Sequence, residues 1–179
     1  MDFNATILTV PGLGGSGPEH WQSLWEKTYG FSRIEQKDWD TPACADWVAQ
    51  INIVVTHYDP GNVMLIGHSL GCAAIAFWAK KFGIQIKGAL LVALSDTEAP
   101  SYPTGTQGFT PMPLHQLPFP SIAVISSNDD YVSTQRAEAF ASAWGSKPVN
   151  IGAAGHINAG SGLGKWDQGI ELLKQLDAP

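Results

Sequence analysis

The sequence predicts an α/β fold: a compact three-layer sandwich with a mostly parallel sheet of about six strands. Short apolar runs alternate with amphipathic stretches along the chain, which is typical of parallel strands covered by helices. The 179 residues fit one domain over 1–179, long enough to bury roughly 70% of the unfolded surface. A content of 44% hydrophobic and 15% charged residues is that of a soluble globule rather than a disordered or membrane chain.

The individual elements follow from apolar periodicity and from capping signals. Strands are predicted at 5–10, 33–37, 63–66, 89–94, 121–126 and, from a less apolar run, 148–151. Helices are predicted between them at 19–29, 44–58, 69–82, 134–144 and 165–176. Hydroxyls that can cap a helix stand at Thr41, before Pro42, and at Ser133, and Pro60 with Gly61 ends the second helix.

One stretch interrupts this alternation. Residues 95–120 contain six of the twelve prolines and show little periodicity, so we expect a long loop. It leaves the carboxyl end of a strand that adjoins the strand at 63–66, and we expect it to form one wall of a functional site. A solvated connection without substrate contact is the alternative.

Charge and cysteine content argue against several classes of function. Lys and Arg number ten against sixteen acidic residues, for a net charge of −6 without any basic run, so no nucleic-acid partner is expected. The first four residues lack the basic region of a signal peptide, and no membrane association is expected. Cys44 and Cys72 provide neither a disulfide framework nor metal-ligand spacing, which favours a cytoplasmic protein without a metal site.

The most informative motif is Gly67-His68-Ser69-Leu70-Gly71, which directly follows an apolar strand and opens a helix-compatible stretch. This arrangement is typical of a nucleophile elbow, a sharp strand-to-helix turn that lifts the central hydroxyl above the sheet. The glycines on either side leave room for the backbone crossing. The motif predicts Ser69 as a nucleophile. A plain strand-to-helix turn is the alternative, because the five-residue pattern is common.

A serine nucleophile needs a base, and the histidines downstream of the elbow are His115 and His156. His156 follows the last predicted strand and precedes the last helix, where a loop can bring a base over the sheet edge. His115 lies within the proline-rich loop. These positions predict His156 as the general base. We expect His68, inside the elbow, to have a packing role.

The acid that orients the histidine is expected after the strand at 121–126, where Asp129 and Asp130 compete. Asp129 lies three residues before Val132, a spacing often seen between the acid and a valine in α/β hydrolases. Asp129 is preferred for that reason. Asp130 stays open as the second candidate. Both carboxylates could instead cap the helix that begins near Thr134.

Hydrolysis also requires hydrogen-bond donors for the oxyanion that forms when a carbonyl is attacked. The backbone N–H of Leu70 opens the elbow helix and is one candidate. The second candidate is the N–H of Leu13, in the glycine-rich loop 11–15 after the first strand. That loop lacks the Lys-Ser/Thr of a phosphate-binding loop and the full dinucleotide-binding spacing, so no nucleotide or other cofactor is expected.

Taken together, these motifs closely resemble the small serine hydrolases related to retinoblastoma-binding protein nine and their bacterial relatives. The resemblance spans nearly the whole chain and includes Val10-Pro11-Gly12, Gly17-Pro18-Glu19-His20-Trp21-Gln22, Trp39 with Pro42, Asp46-Trp47-Val48, the elbow with Cys72, Gly155-His156-Ile157-Asn158, and Ser161-Gly162-Leu163-Gly164 with Trp166. It implies an α/β-hydrolase fold without a large cap domain and a Ser-Asp-His triad at Ser69, Asp129 and His156.

The function expected from the sequence is hydrolysis of a short-chain carboxylic ester through an acyl-enzyme on Ser69, with a small acyl substrate as the partner. Thioesterase, amidase and acyltransferase activities use the same groups and stay open, as does a binding protein on a hydrolase scaffold. His20 and Trp21 are candidate pocket residues. The alternative for Trp21 is a packing role, with Trp21 and Trp25 on one face of the first helix. The sequence does not specify the oligomeric state.

Overall fold

The computed structural model describes residues 3–178, which fold into six strands and five α-helices. The strands are β1 (Thr6–Val10), β2 (Ser32–Arg33), β3 (Val63–His68), β4 (Gly88–Val92), β5 (Ser121–Ile125) and β6 (Lys147–Asn150). The helices are α1 (Trp21–Tyr29), α2 (Cys44–Val55), α3 (Leu70–Phe82), α4 (Thr134–Trp144) and α5 (Asp167–Asp177). Two short 3₁₀ turns, Pro60–Asn62 and Ala159–Ser161, complete the described elements.

The six strands form one sheet in the order β2-β1-β3-β4-β5-β6, and every described pairing is parallel. Helices α2, α3 and α4 contribute to the apolar cluster on one face, and α1 and α5 contribute to the cluster on the other. This is the predicted three-layer arrangement. Because all strands run the same way, their carboxyl ends share one edge, where open parallel sheets commonly bind ligands.

The second strand differs most from its predicted range of 33–37. It covers only Ser32–Arg33, which pair with Leu8 and Thr9 of β1. One further bond joins the N–H of Ile34 to the carbonyl oxygen of Thr9, and the chain then leaves the sheet. The carboxylate of Asp38 accepts bonds from the backbone of Asp40 and Thr41, and this turn redirects the chain towards α2.

Smaller differences occur where backbone conformation ends an element. The fourth strand stops at Val92 instead of 94 because Ala93 adopts a left-handed conformation with φ of 51°. The first helix begins at Trp21 instead of 19, since His20 is its extended N-cap. The second helix ends at Val55 instead of 58.

The long connection between β4 and β5 contains no helix or strand, as predicted. Four of its apolar side chains are buried against the core cluster on the α2–α3 face: Phe109, Met112, Leu117 and Phe119. Two others, Tyr102 and Pro103, reach the cleft at the carboxyl edge of the sheet. The loop therefore forms a wall of this cleft. Within residues 3–178, the helices are all too short or too polar to cross a lipid bilayer.

Candidate active site

Ser69 occupies the sharp turn between β3 and α3. Its backbone has φ of 54° and ψ of −123°, a conformation that costs a non-glycine residue about 1–3 kcal/mol. The surrounding structure holds it there, in part through a 3.0 Å hydrogen bond from the Ser69 N–H to the carbonyl oxygen of Val92. The turn places the Ser69 hydroxyl in the cleft.

Two glycines make this turn sterically possible. A Cβ atom on Gly71 would lie 2.0 Å from the carbonyl oxygen of Val10, so the elbow helix and the end of β1 approach more closely than any side chain allows. A Cβ atom on Gly12 would lie 2.8 Å from the Cβ of Ser69. The glycine-rich loop after β1 is thereby held against the nucleophile elbow.

Three side chains from separate loops form a continuous hydrogen-bonded series in the cleft. The Oγ of Ser69 lies 2.8 Å from Nε2 of His156. The Nδ1 of the same ring lies 2.8 Å and 2.9 Å from the two carboxylate oxygens of Asp129. The structure thus brings together the serine, histidine and preferred aspartate that the sequence singles out.

The hydrogen bonds determine where the protons lie. An ionised carboxylate can only accept, so Nδ1 of His156 carries the proton that it donates to Asp129. In a neutral ring, Nε2 then has a free lone pair and accepts the proton of the Ser69 hydroxyl. This is the tautomer that a general base requires.

The two aspartates have different surroundings. The side chain of Asp129 is 1% exposed, and its Oδ1 also accepts a 2.9 Å bond from the Tyr131 N–H. Asp130 is exposed at the surface, and it is Asp129 that accepts the hydrogen bonds from His156. The carboxylate beside the histidine is therefore that of Asp129.

The loop that carries His156 is fastened to the loop after β5. The N–H of Gly155 donates to the side-chain oxygen of Asn128 at 2.8 Å, and the N–H of Ala154 donates to the hydroxyl of Ser126 at 3.0 Å. These bonds join the segment bearing the acid to the segment bearing the base. These hydrogen bonds, from backbone N–H groups to side-chain oxygens, help to set the relative position of Asp129 and His156.

The neighbouring elbow residue also holds this loop. The Nε2 of His68 donates a 3.0 Å hydrogen bond to the carbonyl oxygen of His156. Burial, together with the nearby rings of His20 and His156, holds the pKa of His68 well below its usual value. The neutral His68 ring must therefore carry its proton on Nε2 in order to donate this bond.

Two backbone N–H groups are available as donors near Ser69. Leu70 is the first residue of α3, a position where helix geometry leaves the N–H without an intrahelical acceptor. In the glycine-rich loop, the N–H groups of Gly14 and Gly15 are bonded to Trp39 and Gly12. Leu13 lines the cleft. Its N–H makes none of the backbone hydrogen bonds found outside helices and strands in residues 3–178.

The cleft itself has a volume of about 490 Å³. Its walls are the glycine-rich loop, the elbow, the loop bearing Tyr102 and Pro103, Tyr131, and residues 158–160. Of the described residues that line it, none is Asp, Glu, Lys or Arg. Groups of three or more potential metal ligands are likewise missing from the part of the chain that the structure describes.

The two candidate pocket residues occupy different layers. His20 lines the cleft, and its Nδ1 accepts a 3.2 Å bond from the Gln22 N–H, which caps α1. Burial, reinforced by Arg33 and His156, lowers the pKa of His20 to about 4. Trp21 lies behind the cleft, where its ring packs against Trp25 and Trp166. Trp21 therefore packs in the core, which was the alternative to a role in the pocket.

Sequence reasoning did not single out three side chains beside the nucleophile. The hydroxyl of Ser95 lies 2.8 Å from that of Ser69. Tyr131 packs on the His156 ring with 4.4 Å between ring centres, and Tyr102 also lines the cleft. For Ser95 and Tyr102, the available signal was the position of 95–120 after a strand next to β3, and for Tyr131 it was the position directly after Asp129 and Asp130.

Comparisons with known proteins show the family to which this chain belongs. The family model described as Serine hydrolase matches residues 7–175. A YdeN-like hydrolase of Pectobacterium atrosepticum is 34% identical, with a TM-score of 0.84 over 97% of this chain and 91% of that chain. No curated protein matches the chain significantly.

Two more distant structures share the fold. The ydeN gene product of B. subtilis is 17% identical, with a TM-score of 0.71 over 96% of this chain and 98% of that chain. A monoacylglycerol lipase of Paleococcus ferrophilus is 11% identical, with a TM-score of 0.71 over 98% of this chain and 96% of that chain. The architecture is thus that of α/β hydrolases, without a large cap domain in residues 3–178.

Proposed function

Because this chain belongs to the serine hydrolase family, we propose that it hydrolyses short-chain carboxylic esters through an acyl-enzyme on Ser69. The observation that supports the proposal most strongly is the hydrogen-bonded series from Ser69 Oγ through His156 to Asp129, in which both contacts to the ring are 2.8 Å. Ser69 is the nucleophile, His156 the general base and Asp129 the group that orients the base.

In the acylation step, the Ser69 oxygen forms a bond to the ester carbonyl carbon while its proton passes to Nε2 of His156. The imidazolium is stabilised by the Asp129 carboxylate on the other side of the ring. When the tetrahedral intermediate collapses, the bond to the alcohol oxygen breaks and that oxygen takes the proton from Nε2. The acyl group remains on Ser69.

The negative charge that develops on the carbonyl oxygen needs donors that are already in place. We assign this role to the backbone N–H groups of Leu70 and Leu13. Leu70 belongs to the elbow, and Leu13 belongs to the loop that the close approach of Gly12 holds against it, so little reorganisation is needed during the reaction. Loss of one such donor in comparable enzymes costs about 10²–10³ in kcat.

Deacylation uses the same groups with water in place of the alcohol. His156 takes a proton from water as the water oxygen bonds to the acyl carbon. The bond from that carbon to Ser69 Oγ then breaks, and Oγ recovers its proton from Nε2. The products are a carboxylic acid and the regenerated hydroxyl.

The cleft favours uncharged substrates with small acyl groups. Its lining within residues 3–178 offers histidine, tyrosine and backbone groups but no Asp, Glu, Lys or Arg to pair with a charged substrate. A volume of about 490 Å³ accommodates a short acyl chain with its alcohol. His20, whose ring is part of this lining, is proposed to contact the substrate.

We also place the reaction in the cytoplasm. Cys44 and Cys72 are both free and buried, and burial raises the pKa of Cys44 to about 11. Buried, unpaired thiols of this kind suit a reducing compartment. Fractionation of the cells that produce the protein tests this assignment, and recovery from an extracellular fraction would contradict it.

A fluorophosphonate probe tests the proposed chemistry, because it reacts covalently with an activated serine. The wild-type protein should be labelled at Ser69, and preincubation with a short p-nitrophenyl ester should slow the labelling. The matched variant Ser69→Ala should stay unlabelled and hydrolyse no ester while keeping its circular dichroism spectrum. Competition with acyl thioesters and amides in the same assay distinguishes an esterase from a thioesterase or amidase.

A further inference from the structure

The nucleophile has a second hydrogen-bonding partner that a three-residue mechanism does not use. The Oγ of Ser95 lies 2.8 Å from the Oγ of Ser69, and Ser95 is 1% exposed. Ser95 follows β4, the strand that pairs with β3 below the elbow. The pairing of β4 with β3 fixes where β4 ends. The left-handed turn at Ala93, just after that end, then directs the chain with Ser95 towards the cleft.

Counting protons decides which hydroxyl donates. Nε2 of His156 can only accept, because the ring proton lies on Nδ1 and is donated to Asp129. The single proton of the Ser69 hydroxyl is therefore directed to His156. In the contact between the two serines, the donor must then be Ser95 and the acceptor Ser69.

The surroundings of Ser95 are consistent with this direction. The partly buried phenol of Tyr102 interacts with the Ser95 side chain, and this burial raises the pKa of Tyr102 to about 12. The phenol therefore keeps its proton, so Ser95 faces a neutral group and not a phenolate that would compete with Ser69 for the Ser95 proton.

We propose that Ser95 is a further catalytic residue, whose hydroxyl donates to the reacting oxygen of Ser69 and directs the Ser69 proton to His156. This rests on the proposed function. During acylation, Ser69 Oγ loses its proton to Nε2 as it bonds to the acyl carbon. During deacylation, the bond between that carbon and Oγ breaks and Nε2 returns the proton. The Ser95 proton stays on Ser95 throughout and stabilises Oγ whenever negative charge develops there.

The chain offers a matched control for the loss of a buried serine pair. Ser121 and Ser146 are both buried, and their hydroxyl oxygens lie 2.6 Å apart. Ser121 stands at the amino end of β5, at the sheet edge opposite the cleft. Replacing Ser121 by alanine removes a contact of the same type far from the nucleophile.

The experiment compares wild type, Ser95→Ala and Ser121→Ala in hydrolysis of p-nitrophenyl acetate, fluorophosphonate labelling and thermal unfolding. A hydrogen bond to a charged group contributes about 1.5–3 kcal/mol, which corresponds to about a 10- to 100-fold change in rate. We expect Ser95→Ala to lower kcat and the labelling rate by this factor while KM changes less than about twofold. Ser121→Ala should keep wild-type rates.

Three other outcomes would overturn the inference. If wild type is labelled at Ser69 and Ser95→Ala reacts at the wild-type rate, Ser95 has no catalytic role and the hydrolase mechanism stands. If Ser121→Ala loses as much activity as Ser95→Ala, the effect is a general loss of stability. If wild type itself is not labelled, the proposed function fails, and the role of Ser95 fails with it.

Discussion

The indole N–H of Trp21 donates a 2.7 Å hydrogen bond to the carbonyl oxygen of Ile157, the residue after His156. Trp21 is 1% exposed and belongs to α1, so this bond ties the first helix to the loop that presents the base. Ile157 has φ of 46°, a strained conformation that the bond helps to hold. The bond therefore helps to hold the loop that carries His156 in place.

Replacing Trp21 by phenylalanine should lower kcat about tenfold, because the His156 loop loses an anchor while the aromatic packing largely remains. Trp25→Phe is the matched control. Trp25 makes the equivalent 2.6 Å bond to the carbonyl oxygen of Lys165, farther along the chain from His156. Both variants should lose about 1–2 kcal/mol of stability in urea unfolding. Equal losses of activity in the two would contradict a positioning role for Trp21.

The two neighbouring aspartates should respond differently to the same substitution. Asp129→Asn removes the carboxylate that holds the proton on Nδ1 of His156, favours the wrong tautomer, and should lower kcat by up to about 10⁴. Asp130→Asn changes an exposed side chain and should leave kcat within about twofold. Steady-state kinetics on a short p-nitrophenyl ester measures both. The larger loss in Asp130→Asn would reassign the acid.

Acid should destabilise the fold in part through His20. The pKa of His20 is lowered from 6.5 to about 4, so between these values the unfolded chain binds a proton that the folded protein does not. Unfolding then becomes more favourable as the pH falls from 6.5 to 4, and stability is recovered as the pH rises. The expected contribution is about 3 kcal/mol at the acid end of this window.

His20→Asn isolates that contribution, because asparagine can still cap α1 without a titrating ring. We expect the variant to lose less stability than wild type between pH 6.5 and pH 4 in urea unfolding. Arg33 and His156 stay in both proteins, and because His20 also helps to lower the pKa of His68, the difference between the two profiles includes this coupling. Parallel stability profiles for the two proteins over this range would show that His20 titrates normally.

The open shape of the cleft predicts the acyl-chain preference. Rates on p-nitrophenyl esters should fall beyond roughly eight acyl carbons, because a cleft that is open to solvent shields only part of a longer chain, at about 0.8 kcal/mol for each methylene. The measurement is kcat/KM across esters of two to sixteen carbons. A steady rise through sixteen carbons would require a deep channel instead.

Features encoded within a few neighbouring residues could be predicted from the sequence. The elbow around Ser69 requires glycines at fixed spacing because its backbone crosses Val10 closely, and the pattern is therefore contiguous. Asp129 and His156 could be placed because each follows a strand whose carboxyl end reaches the same edge. The serine hydrolase family is confirmed, and the relation to retinoblastoma-binding protein nine stays a prediction.

Features that depend on lateral contacts between distant segments could not be predicted. The contact of Ser95 with Ser69 depends on β4 pairing beside β3 and on the turn at Ala93, neither of which leaves a local pattern. The early end of β2 depends on the Asp38 turn that follows it. Whether Trp21 faced substrate or packed behind the cleft depended on the rotation of α1.

Direct trapping of the acyl-enzyme tests the central claim, that Ser69 is the nucleophile of an ester hydrolase. The protein is mixed with p-nitrophenyl acetate, quenched in acid within milliseconds, digested and analysed by mass spectrometry. We expect one acetyl group on the peptide that contains Ser69, at a level that rises and decays with turnover, and no such adduct in Ser69→Ala. Turnover by Ser69→Ala at the wild-type rate, or an adduct on another residue, would contradict the account.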